Sequence, residues 1–150
     1  MKDKIVTIDR KSFLQRCDHA YDLIELIPEE KASDQEKYMF LSLTMHAINS
    51  VQAVKYTTGG KDCGTFKYIA QALRDTRNFD YLQSNGLVEL RNSFAHSDYA
   101  NIDELYVVAI EYKDKIKYLL KTIDTLLDKR YQEVIVYFKY WQIKVLKQNI

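Results

Sequence analysis

Residues that interrupt regular structure are scarce in this chain. Its 150 residues include one proline, Pro28, and four glycines, Gly59, Gly60, Gly64 and Gly86. Such sparse punctuation, with long periodic stretches between the breaks, predicts a helical protein. Cysteine is nearly absent. Cys17 and Cys63 are isolated thiols, which fit a reducing cytoplasm better than a disulfide framework. No apolar run approaches the roughly 20 residues that a membrane span requires, so no membrane partner is expected. The opening stretch MKDKIVTIDRKSF lacks an apolar core followed by small residues, so no signal peptide is expected either, and the predicted location is cytoplasmic. A charge excess of one sign is missing as well. The net charge of +1 does not by itself imply nucleic-acid binding. There is no internal repeat, low-complexity segment or linker rich in glycine, serine or proline, which leaves a single domain over residues 1–150.

What is present is apolar periodicity. Apolar residues make up 47% of the chain and charged residues 29%, the balance of a globular protein with one core. Asp9 is placed to cap a first helix in which Phe13, Leu14, Cys17, Tyr21, Ile24 and Ile27 recur every three or four residues, and Pro28 ends it. Ser33 or Asp34 would cap a second helix running through YMFLSLTMHAINSVQAVKY. Apolar positions surround its axis, so it is expected to be central, with His46 a core or interface histidine. Gly59-Gly60 stops it. GTFKYIAQALRDTR reads as a short helix, followed by a further helical segment leading to Gly86.

Beyond Gly86 no glycine or proline remains. Leu105, Ala109, Tyr112, Ile116, Leu119, Ile123 and Leu126 alternate four and three apart, and the pattern resumes one residue out of step at Leu127, Tyr131, Val134, Phe138, Trp141 and Val145. The slip implies a kink, a short break or a drifting stripe on a long helix. VIVYF is β-branched and aromatic enough for a strand, but a lone strand has no partner, so helix is the expectation. The predicted fold is all-α: an up-and-down bundle of four to five helices with long C-terminal helical arms.

Most recognisable chemistries lack their residues. Cys17 and His19 stand two apart, a spacing that points them in different directions on a helix, and no Cys-x-x-Cys or His-Glu-x-x-His pattern occurs. No metal or cofactor is therefore expected. The glycines of TTGGKDCGTF lack the Gly-Lys-Ser/Thr ending of a phosphate loop and read as a turn between helices. Three histidines and no Gly-x-Ser-x-Gly elbow give a hydrolase triad little support. From Lys129 onward five basic residues, Lys139 and Lys144 among them, face one acid, Glu133. A solvated helix face accounts for this charge as well as phosphate contact does.

The string LRNSFAH, residues 90–96, is different. Arg91 is permanently charged and suited to grip a phosphate through paired hydrogen bonds, and His96 exchanges a proton near neutral pH. One group stabilises developing charge while the other moves a proton, which is what phosphodiester cleavage needs. Helical geometry sets a condition. Residues five apart are turned by about 140°, so Arg91 and His96 cooperate only if the helix breaks near His96 or a second copy supplies partners across a twofold axis. Ser97-Asp98-Tyr99 is compatible with such a break, and Asp98, Asn101 or Asp103 would cap the arm that follows.

Leu90-Arg91-Asn92-Ser93-Phe94-Ala95-His96 closely resembles the signature of the HEPN superfamily (higher eukaryotes and prokaryotes nucleotide-binding domains): arginine, a polar residue that is often asparagine, a short spacer, then histidine. A small helical chain with a long helix after the motif agrees with it. The resemblance implies a HEPN-like helical bundle that dimerises, and a metal-independent endoribonuclease whose two motifs meet at the dimer interface. On that likeness Arg91 binds and polarises the scissile phosphate, Asn92 positions the pair, and His96 transfers a proton. Asp98, Tyr99, Lys139 and Lys144 are candidate substrate contacts. The expected partners are RNA, a second copy of the chain, and an antitoxin or other protein in prokaryotic defence or toxin–antitoxin biology. A toxin branch of the family carries a tyrosine two residues after the histidine. Here that place is Asp98 and the tyrosine is Tyr99, a departure from that branch. Other members have lost activity and serve as RNA-, nucleotide- or protein-binding modules, which is the alternative expectation.

Overall fold

The computed structural model describes residues 4–59 and 102–138. In chain order they form strand β1 (Lys4–Asp9), helices α1 (Arg10–Leu26), α2 (Asp34–Thr57), α3 (Ile102–Ile110) and α4 (Lys113–Leu126), and strand β2 (Glu133–Phe138). The architecture is mostly helical, with one small antiparallel sheet.

Local chemistry explains where the first two helices begin and end. Asp9 leaves β1 in an extended conformation, and its carboxylate accepts the Ser12 N–H at 2.9 Å, satisfying one of the donors that a helix start leaves free. Ile27 closes α1, with its N–H on Ile24 O at 3.2 Å, and Pro28 prevents continuation. At α2 Ser33 and Glu36 form a reciprocal capping box: Ser33 Oγ accepts Glu36 N–H at 3.1 Å and Glu36 Oε1 accepts Ser33 N–H at 2.9 Å. The last turn closes with Thr58 N–H on Val54 O. Gly59 follows at φ +83°, a conformation that favours glycine.

α2 is the central element, packing against α1, α3, α4 and β2. Phe40, Leu41, Ala47, Ile48, Val51 and Val54 are buried along it. Thr44 and Ser50 are buried too, and each hydroxyl donates to the carbonyl four residues earlier, so neither is left unsatisfied. α4 contributes Ile116, Leu119, Leu120 and Ile123, and lies against both α1 and α2. Completely burying an aliphatic side chain of this size stabilises by about 1.5–3 kcal/mol, so this three-helix contact dominates the packing energy. α3 is fastened to the α1–α2 connection. Tyr106 Oη donates to Pro28 O at 3.0 Å, while its ring meets Phe40 edge-on with centroids 5.7 Å apart.

Two expectations are corrected. Residues 105–126 are not one arm: α3 ends at Ile110, a turn follows, and Tyr112 opens α4. The segment after Leu127 is not helical. Glu133–Phe138 is a strand, paired antiparallel with β1 from Asp9↔Glu133 to Lys4↔Phe138. The partner that VIVYF lacked locally is the N-terminal KIVTID, and the sheet places Val134 in the core with Ile8 and Val136 packed against it. The one-residue slip at Leu126–Leu127 therefore marks the end of α4 rather than a kink within a long helix. Arg10 secures the junction. Its Nη1 donates to Asp128 O at 2.7 Å and Tyr131 O at 3.1 Å, and its Nη2 lies 3.6 Å from Asp124.

Candidate functional site

The residues singled out for chemistry, Arg91, Asn92 and His96, lie outside the described residues. So do the candidate contacts Asp98, Tyr99, Lys139 and Lys144, together with Cys63 and the helical segments expected between Gly60 and Gly86. The described structure meets this region at its borders. Thr57 and Thr58 close α2 before it, α3 begins at Ile102 six positions after His96, and β2 ends one residue before Lys139.

At the border with α3, Asp103 sits in the first helical turn, where a carboxylate complements the exposed N–H groups. It also takes Lys37 Nζ at 2.8 Å, tying the start of α3 to the start of α2. Lys37 is held above its ordinary pKa by that bond. The helix that follows the motif is thus anchored to the bundle at its first turn. A fixed exit is what a motif needs if its two groups are to keep a relation to each other.

Several described titratable groups that could suggest chemistry are engaged in structural contacts or buried. Lys113, Lys117 and Lys121 recur every four residues on α4 and resemble a phosphate-binding row, yet each is engaged by α1 or the connection after it. Lys113 donates to Ile27 O at 3.2 Å and lies 3.8 Å from Glu29; Lys117 pairs with Glu25; Lys121 stands over the Tyr21 ring, 4.2 Å from its centroid. The pairing lowers the Glu25 pKa and raises that of Lys117. These cations bind two helices together. Cys17 is buried, and burial pushes its thiol up to about 11 despite the Ser50 hydroxyl beside it, so it remains a protonated, unreactive thiol at neutral pH. His46 is half-buried on α2. Burial, then the nearby positive charge of Arg16, holds it below its ordinary value, which leaves a neutral imidazole at pH 7.

One cleft of about 210 Å³ opens between α1 and α4, lined by Leu14, Cys17, Asp18, Leu120, Lys121 and Asp124. It falls short of the roughly 300–1,000 Å³ typical of ligand pockets. The sequence did not signal it, because its walls come from helices more than a hundred residues apart. Among the described residues no three His, Cys, Asp or Glu side chains converge as a metal site, and no helix is long and apolar enough to cross a membrane.

No protein-family model matches the chain, and neither a curated protein nor a solved structure does.

Proposed function

We propose that this chain is a metal-independent endoribonuclease of HEPN type, acting as a homodimer with a composite arginine–histidine site in cytoplasmic defence or toxin–antitoxin biology. One observation carries the reading: the string Arg91-Asn92-Ser93-Phe94-Ala95-His96 in a mostly helical chain. The chemistry follows from the residue types. Arg91 grips two non-bridging oxygens of the scissile phosphate and offsets their growing charge, and Asn92 orients the pair. The ribose 2′-oxygen loses its proton to a general base and attacks the adjacent phosphorus. The bond from phosphorus to the 5′-oxygen breaks, and that oxygen takes a proton from His96. The products are a 2′,3′-cyclic phosphate and a 5′-hydroxyl. Lys139 and Lys144 would meet neighbouring phosphates, with Asp98 and Tyr99 beside the reacting centre.

The test incubates wild type, Arg91→Ala and His96→Ala with mixed cellular RNA in EDTA and identifies the product ends. Wild type should cleave in EDTA and leave cyclic phosphate, and each variant should lose at least two orders of magnitude in rate. Cleavage that vanishes in EDTA defeats the metal-free mechanism. Equal, negligible cleavage by all three chains, with RNA still bound, identifies a non-catalytic HEPN-like binding module instead.

A further inference from the structure

The turn between α3 and α4 is made differently from the breaks before it. α1 starts on the Asp9 carboxylate and stops before Pro28, while α2 starts on the Ser33–Glu36 box and stops before Gly59. Residues 110–113, Ile-Glu-Tyr-Lys, include neither glycine nor proline, and the Tyr112 side chain gives α4 no capping hydrogen bond. Tyr112, at φ −99° and ψ 8°, lies within about 50° of helical values in both angles. The buried positions Ala109, Tyr112, Ile116, Leu119 and Ile123 keep helical spacing straight through the turn. An unbroken helix would set Glu111 four residues before Lys115, the favourable order for an ion pair. It would also carry Lys113, Asp114 and Lys115 N–H onto Ala109, Ile110 and Glu111 O. Local sequence here therefore suits a helix, and tertiary contacts bend it. Lys113 Nζ reaches Ile27 O at 3.2 Å and lies 3.8 Å from Glu29, Lys117 pairs with Glu25, and β2 pairs with β1. Each of these contacts joins a residue after the turn to one before it.

Contacts that cross a hinge in this way are made equally well by a second copy. We infer that two chains exchange α4 and β2 through the Glu111–Tyr112 turn, which straightens so that residues 102–126 become one helix of about 37 Å in each chain. The α4 and β2 of each chain then lie on α1, α2 and β1 of its mate, with the same ion pairs and the same strand register. A second copy is the occupant because it carries a replacement α4–β2 unit already complementary to that surface. Exchange leaves no core position uncovered and continues the main-chain bonding of a helix through the turn. A single chain holds its own α4 at high effective concentration, so the monomer prevails in dilute solution and the exchanged dimer gains as concentration rises. The exchange is independent of the ribonuclease reading, since it uses no residue of that site.

The experiment refolds the full chain from denaturant at micromolar and at near-millimolar concentration, dilutes both samples and measures their mass by sedimentation. The concentrated sample should retain a dimer after dilution, because return to monomer requires α4 and β2 to unfold from the mate. Glu111→Gly disfavours a helix interior more than a turn, in both chains of the dimer, and should weaken dimerisation at least ten-fold. Thr7 and Ile135 are opposite each other in the β1–β2 register, close enough for a disulfide between cysteines placed there. A Thr7→Cys chain refolded together with an Ile135→Cys chain should form that bond between chains under mild oxidation, and peptide mass mapping separates it from bonds of Cys17 or Cys63. A chain monomeric at every concentration overturns the proposal, and so does a dimer in which positions 7 and 135 do not link. A linked dimer that Glu111→Gly leaves undiminished overturns the hinge at Glu111–Tyr112. If either cysteine variant does not fold, Ile5→Cys with Tyr137→Cys, another opposed pair of the register, carries the same test.

Discussion

His46 illustrates how a single buried group makes stability depend on pH. Folding removes it from water and sets it near Arg16, so its folded pKa lies below the ordinary value of 6.5. Above that value neither the folded nor the unfolded chain holds the proton, and the full stability is present. As pH falls through about 6.5 the unfolded chain takes up the proton first, and stability declines until the folded pKa is reached. Asp9 and Glu25 have lowered pKa values and act in a separate window, losing their contribution only as pH falls through the carboxylate range. Denaturant unfolding of wild type and His46→Gln between about pH 7.5 and pH 5 isolates the effect. The wild type should lose stability across the range and the variant should lose less. Identical slopes would mean that His46 is not the group responsible.

At the scale of elements, what was legible in the sequence is what local chemistry decides. Asp9, Ser33 and Pro28 act on backbone groups within a few residues of themselves, and the helix boundaries they imply are the ones found. The four–three spacing from Ala109 to Ile123 matches the buried face, with Ala109, Tyr112, Ile116, Leu119 and Ile123 all in the core. The turn at Tyr112 went unread because it preserves that spacing without glycine or proline. β2 was illegible for another reason. Its hydrogen-bond partners are supplied by KIVTID at the opposite end of the chain, and spacing alone does not report so distant a pairing. The helical pattern Leu127, Tyr131, Val134, Phe138 shares Val134 with the strand's inward face, so the two periods coincide where it matters. Whether Arg91 and His96 share a site was not decided by spacing either, because positions five apart on a straight helix lie on different faces. Thr57 offers a test of the strand. Thr57→Val keeps the shape but leaves the Ile135 N–H without its acceptor, and should destabilise by about 1–3 kcal/mol. Denaturant unfolding measures it; an unchanged midpoint would remove α2 from the support of β2.

For the whole molecule, the proposed reaction and the sequence spacing of Arg91 and His96 converge on one question: whether one chain or two complete the site. A continuous helix turns Arg91 and His96 onto different faces, so on such a helix the cooperating groups must come from different protomers. That condition yields a prediction which no single-chain site can mimic. Arg91→Ala retains His96 and His96→Ala retains Arg91. Each homodimer lacks one group everywhere, but a mixed dimer holds one of each, on opposite chains. Co-expressing the two variants with different tags and purifying the doubly tagged species should recover cleavage above that of either homodimer, with cyclic phosphate ends. If the pair acts within one chain, both chains of the mixed dimer stay defective and no activity returns. The outcome separates a site built by association from one built by a break in the helix, and in the first case chain concentration itself controls activity: the site exists only when two copies meet.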